Sequence, residues 1–291
     1  MRATGSIYGT TDAGRSWYIH FKNVMRKHGF HELRMELAVY QYRSKVDGKT
    51  ACLAHSHVDD VLATWDDKYG KEVKAVLDKL VLALHMKRES PPFRYCGRDY
   101  AFDDEKITIT QKGAALACQD IDLTKERKKQ RASPVTEPER SLYRSLLGML
   151  LWISQHTRPD LAVGVGQAAT KTVAATVEDI VSLNHLAKYA RDTAEVGIVF
   201  RRGVIDLRTA EVLGFGDSGF ATGTDVKSRF GSIVGLTHQP KKVIEGHYEL
   251  SVIFMFLSAV VRRVVRSTLA AEGYSISETQ ETAEWFRQFL Q

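Results

Sequence analysis

An alternating apolar stretch interrupted by two adjacent carboxylates limits the folds open to this chain more than any other feature. Residues 51–65 show a strand-like pattern on both sides of Asp59 and Asp60. An Asp-Gly pair at 47–48 supplies turn chemistry between this stretch and an earlier strand-like run over 37–42. The sequence therefore predicts a short antiparallel meander with the carboxylate pair at a strand-turn-strand tip.

Two neighbouring carboxylates at a tight turn suit a hard divalent cation. Side chains alternate across a strand, so Asp59 and Asp60 would point to opposite faces unless a turn brings both carboxylates into play. Mg²⁺ prefers oxygen ligands and keeps water or substrate phosphate in its shell. For the pair taken alone, a polar surface turn without metal is the alternative.

The composition indicates a globular protein with a mild preference for polyanions. The chain has 291 residues, enough for two or three domains, and 44% of them are hydrophobic. Its net charge of +6 favours a polyanionic partner because clustered Lys and Arg release counterions from phosphates. The preference is mild, since 35 acidic residues offset 41 basic ones.

The cysteines indicate a reducing compartment, and the hydropathy pattern predicts no membrane span. Cys52, Cys96 and Cys118 are too widely spaced for a disulfide framework or a zinc ligand set, so buried free thiols are expected. The apolar run 251–261 is shorter than the ~20 residues of a membrane span. No membrane association is expected, and the protein is predicted to be cytoplasmic or nuclear.

Helical and strand-like segments are mixed along the chain, which predicts the α+β class. Pro91 and Pro92 are expected to end the second helix, and Pro159 to separate the third from the fourth. Helices are predicted over 11–30, 71–86, 141–156, 160–191 and from 267 to the end. Further strands are predicted over 95–100, 106–110, 212–215, 232–236 and 249–261.

A basic segment separates the two halves of this pattern. Residues 124–138 are interpreted as a solvated linker, which is favoured over a dedicated nucleic-acid contact. Its basic residues are Lys125, Arg127, Lys128, Lys129 and Arg131.

Several motifs follow one another in a recognisable order. Residues 8–18 read Tyr-Gly-Thr-Thr-Asp-Ala-Gly-Arg-Ser-Trp-Tyr, and His-Val-Asp-Asp follows at 57–60. Later segments are 143–152, 157–163, 214–221, 227–231 and 266–274, which include Thr-Arg-Pro-Asp, Gly-Phe-Gly-Asp-Ser and Arg-Ser-Thr-Leu-Ala-Ala-Glu. In this order they resemble the Pol polyprotein of copia-type LTR retrotransposons over essentially the whole chain.

The resemblance implies three regions. Residues 1–115 resemble part of a reverse transcriptase palm, and 116–208 a mostly helical thumb and connection with the basic linker. Residues 209–291 resemble the first half of a ribonuclease H-like α/β domain. The implied activities are RNA-directed DNA polymerase and ribonuclease H, within a polyprotein associated with DNA integration.

The resemblance also implies two carboxylate sites for Mg²⁺. In reverse transcriptases the paired Asp and a third Asp from an earlier strand hold two ions for in-line phosphoryl transfer. Asp59 would be the direct ligand, with Asp60 supporting it. Asp217 and Glu272 match the first two catalytic carboxylates of ribonuclease H, although a turn Asp and a solvated helix Glu are the alternatives for each alone.

Nucleic-acid contacts are implied as well. Arg15, Trp17 and Tyr18 lie on the helix that flanks nucleotide and template in that family, although the two aromatic residues alone would be interpreted as core. Partners would be an RNA/DNA hybrid or a primed RNA template, and a deoxynucleoside triphosphate if the chain is active. Residues 95–98 correspond to a primer-gripping turn, or equally to an ordinary hairpin. His55 and His57 could bind metal as a pair on one strand face, but no third ligand is identifiable.

The departures from the family predict an incomplete protein. The chain opens near the Tyr-Gly motif and stops at Gln291, so the first palm Asp and the later ribonuclease H carboxylates are expected to be missing. His57 also replaces the family's Tyr before Val-Asp-Asp. We therefore expect a fragment that is inactive alone. The alternatives are a repurposed, non-catalytic nucleic-acid-binding or scaffold protein, and an unfolded pseudogene product.

Overall fold

A computed structural model describes residues 9–221, 227–247 and 252–290. It contains helices and antiparallel sheets, which agrees with the predicted α+β class. The chain divides into two compact units, Met1–Cys96 and Gly97–Gln291. This boundary lies earlier in the chain than the one expected after residue 115.

The first unit is an antiparallel meander packed against two helices. Its strands follow one another as neighbours in the order β1-β2-β3-β4. Phe21 and Met25 on the first helix and Val73 on the second are buried against Tyr40 and Tyr42 of the sheet. The elements are α1 (Ala13–Lys27), β1 (Phe30–Glu32), β2 (Val39–Arg43), β3 (Thr50–His57), β4 (Asp60–Trp65), α2 (Gly70–Ala83) and β5 (Phe93–Tyr95).

The second unit combines a helical core with two antiparallel sheets. In its first half are β6 (Arg98–Phe102), β7 (Lys106–Thr110), α3 (Lys112–Ala117), α4 (Lys125–Lys129), α5 (Glu137–His156), α6 (Ala162–Thr170), α7 (Val177–Asp192) and β8 (Ile198–Arg201). In its second half are β9 (Glu211–Gly219), β10 (Arg229–Thr237), α8 (Pro240–Ile244), β11 (Val252–Val260) and α9 (Thr268–Leu290).

Helices α5, α6 and α7 build the largest core of the second unit. Tyr143, Leu150 and Ile153 of α5 are fully buried with Ile180 and Leu183 of α7. A capping box at Thr136 and Glu139 starts α5 because each residue satisfies a free amide of the first turn. The helix predicted over 141–156 is confirmed and begins four residues earlier than expected.

Strand β10 lies between β9 and β11, and α9 packs along β9. On the other face of this sheet, Phe215 and Ile233 stand directly opposite each other and remain 42% and 38% exposed. The face of the sheet opposite α9 is therefore partly exposed to solvent. Residues 249–251 of the strand predicted over 249–261 lie outside the described residues.

Several predicted boundaries are wrong. Helix α2 ends at Ala83, well before Pro91, because His85 turns the chain with a φ of +53°. The single helix predicted over 160–191 is two helices, α6 and α7, with Ala175 buried in the connection. Residues 124–138 contain the short helix α4, which has no buried residue and is therefore solvated as expected, although it was predicted as a linker.

Two other expectations can be compared directly with the structure. Cys52, Cys96 and Cys118 are free thiols, as predicted, and the first and last of them are buried. Every helix in the described part of the chain is too short or too polar to cross a lipid bilayer.

Candidate functional site

Asp59 and Asp60 lie where the sequence predicts, at the tip of the β3–β4 hairpin. His57 pairs with Asp60 across the hairpin, which leaves Val58 and Asp59 as a two-residue turn. Val58 has a φ of +58°, a left-handed conformation that is unfavourable for a β-branched residue. Both carboxylates are exposed to solvent.

The turn is attached to α1 through one side chain. The Trp17 indole Nε1–H donates a hydrogen bond to the Val58 carbonyl at 2.6 Å. This contact fixes the backbone immediately before Asp59. Trp17 thus has a structural contact in the protein, and its nucleic-acid contact stays a prediction.

Tyr18 and Arg15, the other two predicted contact residues of α1, have different surroundings. Tyr18 and Lys22 both donate hydrogen bonds to Glu32 at the end of β1. Although burial opposes ionisation of Glu32, the hydrogen bonds from Lys22 and Tyr18 hold its pKa below the ordinary value. Arg15 is exposed, and among the described residues it has no partner. Tyr8 of the same motif lies outside the described residues.

The histidines flanking the turn do not form a metal pair. His55 Nδ1 is hydrogen-bonded to the Tyr95 hydroxyl at 2.7 Å, whereas His57 is exposed opposite Asp60. Tyr95 thereby ties β5 to β3, close to the turn predicted over 95–98.

The donor set at the turn fits Mg²⁺ but is small. Mg²⁺ is commonly bound through one or two carboxylates, with water and phosphate oxygens completing its octahedron. Asp59 and Asp60 supply two exposed carboxylates, and neither has an ion-pair partner among the described residues. No group of three His, Cys, Asp or Glu residues in the described ranges is placed to hold a metal ion.

Asp217 and Glu272 come from adjoining elements. Asp217 is near the end of β9, and Glu272 is in the second turn of α9; both are exposed. The Ser275 hydroxyl, one helical turn beyond Glu272, donates to the Asp217 backbone carbonyl at 3.0 Å. The helix therefore crosses the strand next to Asp217.

Side-chain alternation separates these two carboxylates. A methyl group on Gly214 or Gly216 would lie 2.8 or 2.4 Å from Thr279, so both glycines face α9. Because successive side chains of a strand alternate, Asp217 points to the opposite face of the sheet. The glycines of Gly-Phe-Gly-Asp let α9 approach the strand, but the two carboxylates are not brought onto one face.

In the basic segment both arginines are in ion pairs, Arg127 with Glu139 and Arg131 with Glu178, whereas the three lysines have no partner among the described residues. Arg127 donates two hydrogen bonds of 2.8 Å to the Glu139 carboxylate, in the capping box of α5. Lys125, Lys128 and Lys129 are exposed, and none has a partner among the described residues. The predicted nucleic-acid-binding role of Lys125, Arg127, Lys128 and Lys129 stays a prediction.

Comparison with known proteins gives two relatives with the same description. The chain is 24% identical over 99% of its length to the Retrovirus-related Pol polyprotein from transposon RE2 of Arabidopsis thaliana. It is 23% identical over 98% of its length to the corresponding polyprotein from transposon RE1 of the same plant. The chain is similar to retrotransposon Pol polyproteins.

The similarity covers only part of those Pol polyproteins. The chain spans 19% of the length of each relative. No protein-family model and no solved structure matches the chain. The similarity to Pol polyproteins extends along almost the whole chain, as the resemblance of its motifs does.

A buried arginine within a Pol-like motif was missed by sequence reasoning. Arg158 of Thr-Arg-Pro-Asp is 1% exposed and donates to Asp160 at 2.9 and 2.7 Å. It also donates to the Thr193 carbonyl at 3.0 Å and to the Thr193 hydroxyl at 2.7 Å. Its role is to join the start of α6 to the end of α7. The sequence signal was the Thr-Arg-Pro-Asp motif itself, which places Arg158 two residues before Asp160.

Proposed function

We propose that this chain is part of a copia-type LTR retrotransposon Pol polyprotein, from the end of the reverse transcriptase palm to the beginning of ribonuclease H. The observation that carries the proposal is the β3–β4 hairpin, which presents Asp59 and Asp60 at a turn held by α1. The similarity to two Pol polyproteins along almost the whole chain supports it.

In this proposal Asp59 and Asp60 are the residues that would hold Mg²⁺. The ion supplies charge stabilisation and activation of a hydroxyl in phosphoryl transfer. Asp59 lies in the turn itself and Asp60 begins β4, so the two carboxylates reach solvent from consecutive positions. Trp17 maintains the turn from which they project, through its hydrogen bond to Val58.

The proposal assigns residues 116–208 to the connection and 209–291 to a ribonuclease H-like domain that would act on an RNA/DNA hybrid. For Asp217 and Glu272, the support is the motif resemblance and the packing of α9 on β9. Joint metal binding by Asp217 and Glu272 is part of this proposal and rests on the resemblance.

Local metal binding at the turn can be tested by paramagnetic NMR. Mn²⁺ added to the ¹⁵N-labelled chain should broaden the amide signals of residues 57–61 first. Asp59→Asn should abolish this selective broadening. Asp104→Asn is the matched control, since Asp104 is also an exposed turn carboxylate. Broadening that is unaffected by Asp59→Asn would contradict the proposed ligand.

Polymerase activity is a separate question. Polymerisation in the resembled family uses a third carboxylate from an earlier strand, whereas the hairpin supplies two. We therefore expect no DNA synthesis by the isolated chain on a primed RNA template with Mg²⁺ or Mn²⁺. Incorporation that disappears on Asp59→Asn would overturn this expectation and assign a complete site to the chain.

A second candidate function is non-catalytic binding of nucleic acid. The three free lysines of α4 and the net charge of +6 favour it. Binding to an RNA/DNA hybrid should then weaken with salt and be reduced when Lys125, Lys128 and Lys129 are changed to Gln. Absence of binding at low salt would count against this function.

A further inference from the structure

The segment between β11 and α9 concentrates positive charge. Arg262, Arg263 and Arg266 lie within five consecutive positions, and all three are exposed. None of them has an ion-pair partner among the described residues. The sequence from 252 to 271 contains no Asp or Glu. The charge of the three guanidinium groups is therefore not neutralised by their own segment.

The start of α9 adds to this charge. The Ser267 hydroxyl accepts a hydrogen bond from the Ala270 amide at 3.1 Å, and the first turn of the 23-residue helix contains no acidic residue. The amino end of a helix carries a partial positive charge, which anions stabilise. Glu272, in the second turn, is the first acidic residue of the helix.

Two of the arginines are near Tyr274 of α9. A hydrogen bond to Glu278 raises the pKa of the Tyr274 phenol, and the positive charges of Arg262 and Arg263 oppose this rise. The two arginines are therefore part of the electrostatic surroundings of Tyr274. The ring of Tyr274 contacts Phe230 edge to face, with 5.5 Å between centroids.

The arginines lie at the same end of the sheet as Asp217. Gly219 pairs with Arg229, and Arg229 pairs with Val260, so the ends of β9 and β11 meet at this edge. Asp217 is two residues from this end of β9, and the arginines follow the end of β11. A duplex lying across this edge would meet positive charge beside the exposed carboxylate.

We propose that Arg262, Arg263 and Arg266 form a surface that binds the phosphodiester backbone of duplex nucleic acid. This rests on the proposed function, which supplies the nucleic-acid partner. The planar guanidinium group donates paired hydrogen bonds to phosphate oxygens, so three of them can contact successive phosphates. Such contacts position a duplex without reading its sequence.

The test measures affinity of the full chain for a fluorescein-labelled RNA/DNA hybrid as a function of salt. Each phosphate contact contributes about 0.9 to the slope of log K against log salt for B-form DNA, with a similar size assumed for the hybrid. Arg262→Gln, Arg263→Gln and Arg266→Gln combined should lower the slope by about 2 to 3. The charge-matched control is Lys71→Gln, Lys74→Gln and Lys79→Gln combined, three exposed lysines of α2, which should leave most of the slope in place.

A second variant separates charge from folding. Changing the same three arginines to Lys should retain the slope and lose only part of the affinity, because Lys keeps the charge without the paired donors. Circular dichroism should show unchanged helix content in every variant, since the three side chains are exposed.

The outcomes separate this proposal from the proposed function. If the unmodified chain binds the hybrid and the Gln variant binds it with the same salt slope, the proposed arginine surface is wrong. The proposed function is unaffected by that result. No binding of any duplex by the unmodified chain at low salt overturns both. Tight association with anionic lipid vesicles that exceeds hybrid binding would assign the surface to a membrane and overturn the proposal.

Discussion

The indole of Trp17 and the carbonyl of Val58 are joined by a hydrogen bond of 2.6 Å across 41 positions of the chain. It connects α1 to the residue that precedes the carboxylate pair. Val58 has a left-handed backbone conformation, which is costly for a β-branched residue and persists only when the surroundings fix it. We infer that Trp17 is a positioning residue for the turn.

Removing this hydrogen bond should loosen the turn with a modest loss of stability. Trp17→Phe keeps an aromatic ring but removes the donor, and we expect a decrease of about 1 kcal/mol in the free energy of unfolding. Selective Mn²⁺ broadening of residues 57–61 should weaken as well. Ile19→Ala, an exposed change on the same helix, is the control. Equal metal responses in Trp17→Phe and the unmodified chain would refute the positioning role.

The packing of α9 on β9 should be sensitive to a single methyl group. In Gly216→Ala the new carbon would lie 2.4 Å from Thr279 Oγ1 and 2.9 Å from the Ser275 carbonyl oxygen. We expect a loss of about 1–3 kcal/mol in chemical denaturation, because the helix must move away. Gly273→Ala has nothing within 4 Å and lies inside α9, so it should stabilise by about 0.5–1 kcal/mol. A neutral Gly216→Ala would contradict the observed approach.

Arg158 should be required for the helical core of the second unit. Arg158→Met removes the hydrogen bonds to Asp160 and Thr193 and leaves a carboxylate without its partner. The expected loss is about 1–3 kcal/mol, the cost of leaving hydrogen-bonding groups unpaired, because the remaining Asp160 carboxylate is 34% exposed and can be hydrated. Arg208→Met removes a pair whose arginine is 88% exposed and should cost less than about 1 kcal/mol. Similar unfolding midpoints for the two variants would show that burial of Arg158 is unimportant.

The Arg127–Glu139 pair should make stability depend on acid pH. The hydrogen bonds from Arg127 lower the pKa of Glu139 from 4.5 to about 2 in the folded chain. A lowered folded pKa stabilises the protein above pH 4.5, and this contribution is lost as the pH falls towards 2. The stability difference between the unmodified chain and Arg127→Gln should therefore be largest near neutral pH and shrink across that window.

A second ion pair provides the control for this pH dependence. Arg287 also lowers the pKa of Glu284 to about 2, but the two side chains are 52% and 46% exposed. Solvent screens exposed pairs, so Arg287→Gln should change stability by less than about 0.5 kcal/mol at any pH. An equally large effect at both pairs would mean that partial burial of Arg127 does not matter.

Local sequence patterns predict the helices and strands that are specified by their own residues. Alternation and turn residues predict the hairpin with Asp59, helical spacing and Gly29 predict helix α1, and Pro159 predicts the end of helix α5. Strand β8 was missed because its four residues become a strand only by pairing with β7, as Ile198 does with Ile109. Its partner is too distant in the sequence for a local pattern to indicate.

The candidate site could be predicted in position but not in orientation. The sequence placed Asp217 on a strand and Glu272 on a helix, and both placements are confirmed. Which face of the sheet receives the Asp217 side chain depends on where α9 packs, and that is decided by Gly214 and Gly216. Likewise, the charge of Arg127 was visible, but its use in capping α5 depends on a contact with Glu139.

The uncovered row formed by Phe215 and Ile233 has a practical consequence for solution work. Environment-sensitive dyes that fluoresce on apolar surfaces should stain the native chain through this sheet, even when its helical core is intact. Dye fluorescence is then a poor indicator of unfolding for this protein. The near-ultraviolet signal of its tryptophans is the better reporter.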